Sequence, residues 1–292
     1  MASTREIRRR IRSVKNIAQI TRAQQMVASS KMRRAQERVL SARPYSEQLQ
    51  TLLARLASQV EGEGDLPLMQ SRPVKRAGIV LMTPDRGLAG ALSGNVNRRA
   101  GQLAIELRRE IGNAELPISF IAVGRKGRDF LVRTRQSLIA EFTRLGDQPS
   151  QADVRAIAKA VTDAYIAGEV DRVQLVYPKY VSTVTQTPTV LQLLPVQPPA
   201  VQEVAGATPQ YIFEPDAETI FAELLPRYVE TLIFQPLLET VASFYSAQMV
   251  AMRNATDNAN DLLDDLTLTY NKARQGAITT QILEIVAGSG AL

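Results

Sequence analysis

Apolar residues recur at every third or fourth position from Ile7 onward. Stepping alternately by four and three reads Ile7, Ile11, Val14, Ala18, Thr21, Gln25, Ala28, Met32, Ala35, Val39, Ala42, Ser46, Leu49, Leu53, Leu56 and Val60, and thirteen of these sixteen positions are apolar. That period predicts one long helix with a heptad seam. Ser3 or Thr4 is placed to cap it, with Glu6 in its first turn, and Pro44 is the one interior residue expected to kink it. Four seam positions are Ala, which lets a partner backbone come close. The same stepping from Ala242 gives Tyr245, Met249, Met252, Thr256, Ala259, Leu263, Leu266, Tyr270, Ala273, Ala277, Thr280, Glu284 and Ala287, eleven of the fourteen being apolar. Gly288 and Gly290 end this second helix, and Pro226 and Pro236 are expected to kink or restart it.

Between the two heptad patterns the period changes. Residues 61–76, rich in Gly, Glu and Pro, read as a linker. Short apolar runs at 77–83, 118–123, 137–142 and 173–177 predict strands, and a Thr/Val/Leu-rich extended piece follows at 183–195. Helical stretches at 91–112, 126–133 and 151–167 alternate with them, and four prolines from Pro195 to Pro209 mark an irregular loop. The fold class is therefore α+β or α/β: N- and C-terminal helices form a long antiparallel intramolecular coiled coil flanking an open, mostly parallel α/β domain. The expected divisions are 1–60 for the first helix, 75–213 for the α/β domain and 214–292 for the last helix. Because the insert holds the inner ends of the two helices together, they must run antiparallel.

Composition narrows the chemistry. The 292 residues contain no Cys, no His and no Trp, so disulfides, thiolate nucleophiles, Ser-His-Asp triads and Cys/His zinc sites are excluded. Aromatic residues make up only 5%, which leaves an aliphatic, Ala-rich core. No uninterrupted apolar run reaches the length of a membrane span and no signal peptide pattern is visible, so a soluble, cytoplasm-facing chain is expected. No phosphate-binding glycine loop of the Gly-x-x-x-x-Gly-Lys-Ser/Thr or Gly-x-Gly-x-x-Gly kind is present. No catalytic, cofactor-binding or metal-binding residue is assigned. The string Thr83-Pro84-Asp85-Arg86-Gly87-Leu88-Ala89-Gly90 has two readings. It is either a ligand loop at a strand's carboxyl end, or a capped turn in which Asp85 bonds its own backbone and Gly87 takes a positive φ.

The net charge of +6 conceals a gradient: residues 1–43 carry a net +10 and residues 214–292 a net −7. The basic run Arg5, Arg8, Arg9, Arg10, Arg12 and Lys15 has no aromatic residue near it on which a base would stack, so no nucleic-acid partner is expected. Matching these charges to Asp257, Asp261, Asp264 and Asp265 of the other helix sets Arg8 beside Asp264 and Lys15 beside Asp257, a constant residue-number sum of 272. That register brings Gln24 alongside Gln248 and leaves about 20 carboxyl-terminal residues projecting past the amino end, a helix some 30 Å long. Beyond Ala273 the projecting helix is apolar on several sides, through Ala277, Ile278, Ile282, Ile285, Val286 and Ala287, and needs a partner to bury it.

Several strings resemble one family. Ile20-Thr21-Arg22-Ala23-Gln24-Gln25-Met26-Val27-Ala28-Ser29-Ser30-Lys31-Met32 is similar to the amino-terminal helix of the γ subunit of F-type ATP synthases. Met249 to Ala259 (Met-Val-Ala-Met-Arg-Asn-Ala-Thr-Asp-Asn-Ala), Tyr270 to Gln275, Ile278-Thr279 and Glu284-Ile285-Val286 resemble its carboxyl-terminal signature, and Asp85-Arg86-Gly87-Leu88 and Gln192-Leu193-Leu194-Pro195 also match. The resemblance covers essentially the whole chain. It implies a non-catalytic rotor shaft inside a ring of three α and three β subunits, standing with the ε subunit on the membrane c-ring and turned by proton or sodium-ion flow. Catalysis would belong to the β subunits. It further implies contacts with β through Gln24, Lys31, Arg274, Gln275 and Thr279, and a foot on the rotor ring and ε formed by Tyr211, Phe213 and Glu214. Membrane association would come through the complex only, at the cytoplasmic face of a bacterial membrane. The family commonly has Met at Gln24, Glu and Arg at Phe244 and Gln248, and Glu at Gln281. The cysteine-bearing insert of the light-regulated plant form is absent, which excludes thiol regulation. The competing class is a stand-alone coiled-coil adaptor or nucleic-acid scaffold.

Overall fold

The computed structural model describes residues 3–57, 66–197 and 216–289. In chain order the elements are α1 (Thr4–Ala57), β1 (Ala77–Met82), α2 (Leu92–Ile111), β2 (Ile118–Val123), α3 (Arg125–Arg133), β3 (Ser137–Phe142), α4 (Gln151–Ile166), β4 (Arg172–Tyr180), β5 (Gln186–Leu194) and α5 (Ala217–Ser289). Packing divides the chain into a helix-pair unit, Met1–Ser30 with Gln248–Leu292, and a sheet unit, Lys31–Ala247. Expected and observed elements agree in number and type, and the antiparallel helix pair and mostly parallel sheet are both present.

In the sheet unit the strand order is β3-β2-β1-β4-β5, parallel throughout except for β5, which runs antiparallel to β4. Every residue of β1 is buried, because helices cover both faces. Alternation sends Ala77, Ile79 and Leu81 into one core with Val96, Ala100, Leu103 and Leu107 of α2. Val80 and Met82 enter a second core, shared by α4, by Leu49, Leu53 and Leu56 of α1, and by Phe221, Leu225, Val229 and Ile233 of α5. Leu66 and Leu68, which fall in the expected linker, belong to this second core. Another small apolar cluster joins Ala35 and Val39 to Leu238 and Ala242.

The prolines do not divide the helices: α1 continues through Pro44, and α5 through Pro226 and Pro236. Each proline removes one backbone donor, yet burial of Leu225, Val229, Ile233 and Leu237 around them holds the helix to the core. Side chains supply extra bonds nearby, from Thr231 Oγ1 to the Arg227 carbonyl (2.9 Å) and from Thr240 Oγ1 to the Pro236 carbonyl (2.8 Å).

In the helix-pair unit, Ser3 caps α1 by accepting the Glu6 amide at 3.2 Å. Every described seam position of this unit up to Ala273 is buried or half-buried, and positions 274–287 are all exposed. The register is not the one charge matching places at 272. Thr21 and Thr256 meet hydroxyl to hydroxyl at 2.7 Å, a residue-number sum of 277. Arg8 lies over the ring of Tyr270, 5.4 Å from its centroid, and donates to its hydroxyl, rather than pairing with Asp264. The physical reason is one of magnitude. An exposed ion pair is worth about 0–1 kcal/mol, whereas each aliphatic side chain that the seam fully buries is worth about 1.5–3 kcal/mol. The sum of 277 sets seam residue against seam residue: Ala18 with Ala259, Gln25 with Met252, Ala28 with Met249.

Two outcomes follow. Because the chain has no native Cys, the pair Thr21→Cys with Thr256→Cys should form a disulfide on oxidation, seen as an altered gel mobility, while Gln24→Cys with Gln248→Cys should crosslink much less. The second concerns Glu239, which is buried on α5 and accepts from the Tyr180 amide and from Gln235 Nε2, each at 3.3 Å. Burial pushes its carboxyl above the ordinary value of 4.5, more than the Gln235 and Tyr180 bonds and the charges of Lys179 and Arg43 pull it down. The folded chain therefore holds this proton to higher pH than the unfolded chain, and stability declines as pH rises from about 4.5 through the folded-state pKa. Glu239→Gln should remove that part of the decline, which denaturant titrations between pH 4 and 8 will show as a difference shifting toward the variant with rising pH.

Candidate functional site

The carboxyl ends of β1, β2 and β3 form an edge where α/β folds commonly receive ligands. Here that edge is closed by the chain itself. Thr83 Oγ1 accepts the Gly127 amide at 2.7 Å, Asp85 Oδ1 accepts the Arg125 amide at 2.9 Å, and the Pro84 carbonyl accepts the Lys126 amide at 3.2 Å. The amides at the start of α3, the position an anion would take, are thus held by side chains and backbone of the preceding loop. The turn differs in detail from its expected form. Asp85 caps α3 instead of bonding its own backbone, and the positive φ values fall on Leu88 (64°) and Gly90 (56°), not on Gly87. Gly124 has φ 91°, and a Cβ there would lie 1.8 Å from the Thr83 carbonyl oxygen.

Beside this edge a cavity of about 290 Å³ separates the loop Arg144–Pro149 from Leu237, Thr240, Val241 and Phe244 of α5. The loop turns through two residues of positive φ, Arg144 (65°) and Gly146 (71°), and presents Asp147. Lys31 Nζ on α1 donates to Asp147 Oδ2 at 2.5 Å and lies 3.4 Å from the Tyr245 hydroxyl on α5. Arg86 approaches Asp147 Oδ1 at 3.6 Å, and Arg38 donates to the Asp147 carbonyl at 3.4 Å. Burial pulls the Asp147 carboxyl upward, but the Lys31 and Tyr245 hydrogen bonds and the charges of Lys31 and Arg86 outweigh it and hold the group below its ordinary 3.8. Burial, reinforced by Asp147, pushes the Tyr245 hydroxyl well above its ordinary value, so it remains a donor.

The residues expected at functional contacts are dispersed. Gln24 is half-buried in the helix-pair unit, and Lys31 is half-buried in the sheet unit, held by Asp147. Arg274, Gln275 and Thr279 are exposed on the last turns of α5, where Thr279 Oγ1 donates to the Gln275 carbonyl at 2.9 Å. Tyr211, Phe213 and Glu214 lie outside the described residues, as do Val60 and most of the proline-rich loop. Around Thr279 the helix exposes Ile278 (47%), Ile282 (54%), Leu283 (62%) and Ile285 (71%). Among the described residues no Asp/Glu group is placed to hold a metal ion, and no helix is long and apolar enough to cross a membrane.

A family model described as ATP synthase matches residues 3–292. The ATP synthase gamma chain of Roseiflexus castenholzii is 49% identical over 100% of this chain and 99% of its own, and that of Dehalococcoides mccartyi is 48% identical over 100% of both. The chain belongs to the ATP synthase gamma-chain family. The fold agrees with that of chains in solved ATP synthase structures. A chain of the Euglena gracilis mitochondrial ATP synthase superimposes with a TM-score of 0.64 at 19% identity, covering 99% of this chain and 94% of that one. A chain of the Tetrahymena thermophila central stalk and c-ring gives 0.61 at 22% identity, over 81% of this chain and 99% of that one.

In this gamma-family chain the residue that sequence reasoning missed is Asp147. Tyr245 was visible only as a seam residue and Arg86 only as part of the Thr83–Gly90 string, while 116 positions separate Lys31 from Asp147 and no local pattern joins them. The closed edge gives a direct test. Gly124→Ala should destabilise the sheet unit by more than about 2 kcal/mol, because the new Cβ strikes backbone and the φ is unfavourable for any L side chain. A denaturant midpoint for the variant matching that of the parent chain would contradict the geometry.

Proposed function

We propose that the chain is the central-stalk rotor subunit of an ATP synthase, carrying rotation from the membrane rotor ring to catalytic sites held by the β subunits. The observation that carries this, beside family membership, is the last part of α5: a helix apolar on several sides that is exposed at every position from 274 to 287. With the register at 277, Ser3 stands level with Arg274. The residues from Gln275 to Ser289 therefore extend past the amino end by roughly 22 Å, less than charge matching places there. A surface of this kind supports insertion into an apolar collar, and the three α and three β subunits supply one in this reading. Coupling then works by population shift: each orientation of the shaft makes different contacts with each β subunit and favours a different conformation in it.

The chain itself acts without catalytic residues, cofactor or metal. In this reading Gln24 and the Lys31 region of α1 lie where the shaft meets β, Arg274, Gln275 and Thr279 lie at the upper bearing, and Tyr211, Phe213 and Glu214 contact ε and the rotor ring. The chain is peripheral to a bacterial membrane at its cytoplasmic face, held there through the complex. The adaptor or nucleic-acid scaffold gains no support, since the likeness to gamma chains runs over the full length.

The test uses the triple variant Ile278→Glu, Ile282→Glu, Ile285→Glu. The isolated chain should keep its stability within about 0.5 kcal/mol, as exposed positions do. In cells expressing the α, β and ε subunits and the membrane sector, recovery of the variant with α and β, and ATP-driven proton pumping, should both fall severalfold. Undiminished recovery and pumping would contradict insertion of the tip.

A further inference from the structure

We infer that Asp147 is a positioning residue for rotary coupling: it latches the loop after β3 onto α1 and α5, and Lys31 serves coupling through this latch. The inference rests on the rotor reading and adds to it a route for torque inside the chain.

Groups from three separate elements converge on this one residue. Lys31 and Arg38 come from α1, Tyr245 from α5 and Arg86 from the loop after β1. The pair is only partly exposed, with 29% of the Lys31 side chain and 32% of the Asp147 side chain open to solvent. Lys31 also stacks on the Tyr245 ring, 5.4 Å from its centroid, and Tyr245 itself is buried. Leu145 packs the loop against the core of the sheet unit, a cavity of about 290 Å³ lies between the loop and the neighbouring turns of α5, and the loop's polar links to the helices run through Asp147.

A second polar attachment joins the end of β4 to the same helices. Glu239 accepts the Tyr180 amide at 3.3 Å, Ser243 Oγ donates to the Pro178 carbonyl at 2.8 Å, and Gln36 Nε2 donates to the Tyr180 hydroxyl. Apolar contact resists separation but is non-directional, so helices slide along it at low cost. Directed bonds at the ends of two different strands resist that sliding. A Lys31 held in this way has its ammonium directed to Asp147 rather than outward, which separates the latch from direct contact between Lys31 and a β subunit.

The test uses the assembled complex reconstituted in vesicles, with the parent chain as reference. Lys31→Met, Asp147→Asn and their combination are compared for ATP hydrolysis and for protons pumped per ATP hydrolysed, and each isolated chain is melted. Tyr245→Phe, which keeps the buried ring and removes only the hydroxyl, is the second variant should Asp147→Asn fold poorly. With the latch, Lys31→Met and Asp147→Asn each lower pumping per ATP about fivefold, the double variant falls no further than either, and Tyr245→Phe lowers it in the same direction. Exchanging the charges, Lys31→Asp with Asp147→Lys, restores part of the loss. The inference is overturned if Lys31→Met lowers pumping while Asp147→Asn and Tyr245→Phe do not, since Lys31 then acts on another subunit. It is also overturned if the losses add independently, or follow melting temperature alone. A parent chain that neither assembles with α and β nor supports pumping would instead defeat the rotor reading itself.

Discussion

Burial of an apolar seam requires that seam residue face seam residue, and the contact of Thr21 with Thr256 at 2.7 Å marks which heptad register the helix-pair unit adopts. Each of these hydroxyls also bonds a carbonyl of its own helix, Thr21 to Ala18 and Thr256 to Met252. Once the hydroxyls face each other, Ala18 and Ala28 stand opposite Ala259 and Met249, and the small side chains let the helices close on one another. Arg8 then reaches Tyr270 and its stem and guanidinium cover the ring. The aspartates of the second helix take no part in setting the register. They remain a solvated face, and their contribution is to solubility and to the field around the helices.

In the sheet unit the dominant theme is self-satisfaction of a site that similar folds leave open. A nucleotide-binding α/β layer offers backbone amides at a helix start beside the strand ends. Here Thr83 and Asp85 take those amides, and the close approach of Gly124 to the Thr83 carbonyl seals the joint. An architecture suited to holding a ligand is thereby used to hold its own loops. Such a layer is rigid, and rigidity is what a part that transmits force requires.

Most of the fold was legible in the sequence because it rests on periodicity. The four-three stepping picked out the buried side of α1 residue by residue, and it marked the buried side of α5 as far as Ala273. The register was legible only in part: the two seams oppose each other at sums of 270, 277 and 284, which already rules out 272, but matching charges pointed there because it gave weight to pairs that solvent screens. Leu88 took the left-handed conformation assigned to Gly87, for neighbouring residues in a tight loop share one constraint and local pattern does not say which bears it. The prolines of α5 were read as kinks or restarts, and the helix runs on without a restart because a helix pattern alone says nothing of the core that holds it. The Lys31–Asp147–Tyr245 group could not be read at all: it joins segments brought together only by the whole sheet unit, and its members are ordinary residues in ordinary local contexts.

The three helix prolines have a mechanical meaning. Pro44, Pro226 and Pro236 all belong to the sheet unit, while the described helices of the helix-pair unit contain none. Each proline deletes one rung of the backbone ladder, and a rod with missing rungs bends there before it bends elsewhere. Elastic compliance is therefore concentrated in the sheet unit's portions of α1 and α5, and the proline-free segments are the stiffer ones. When these helices are twisted, strain is stored where those rungs are absent, and the proline-free segments carry the load with less bending.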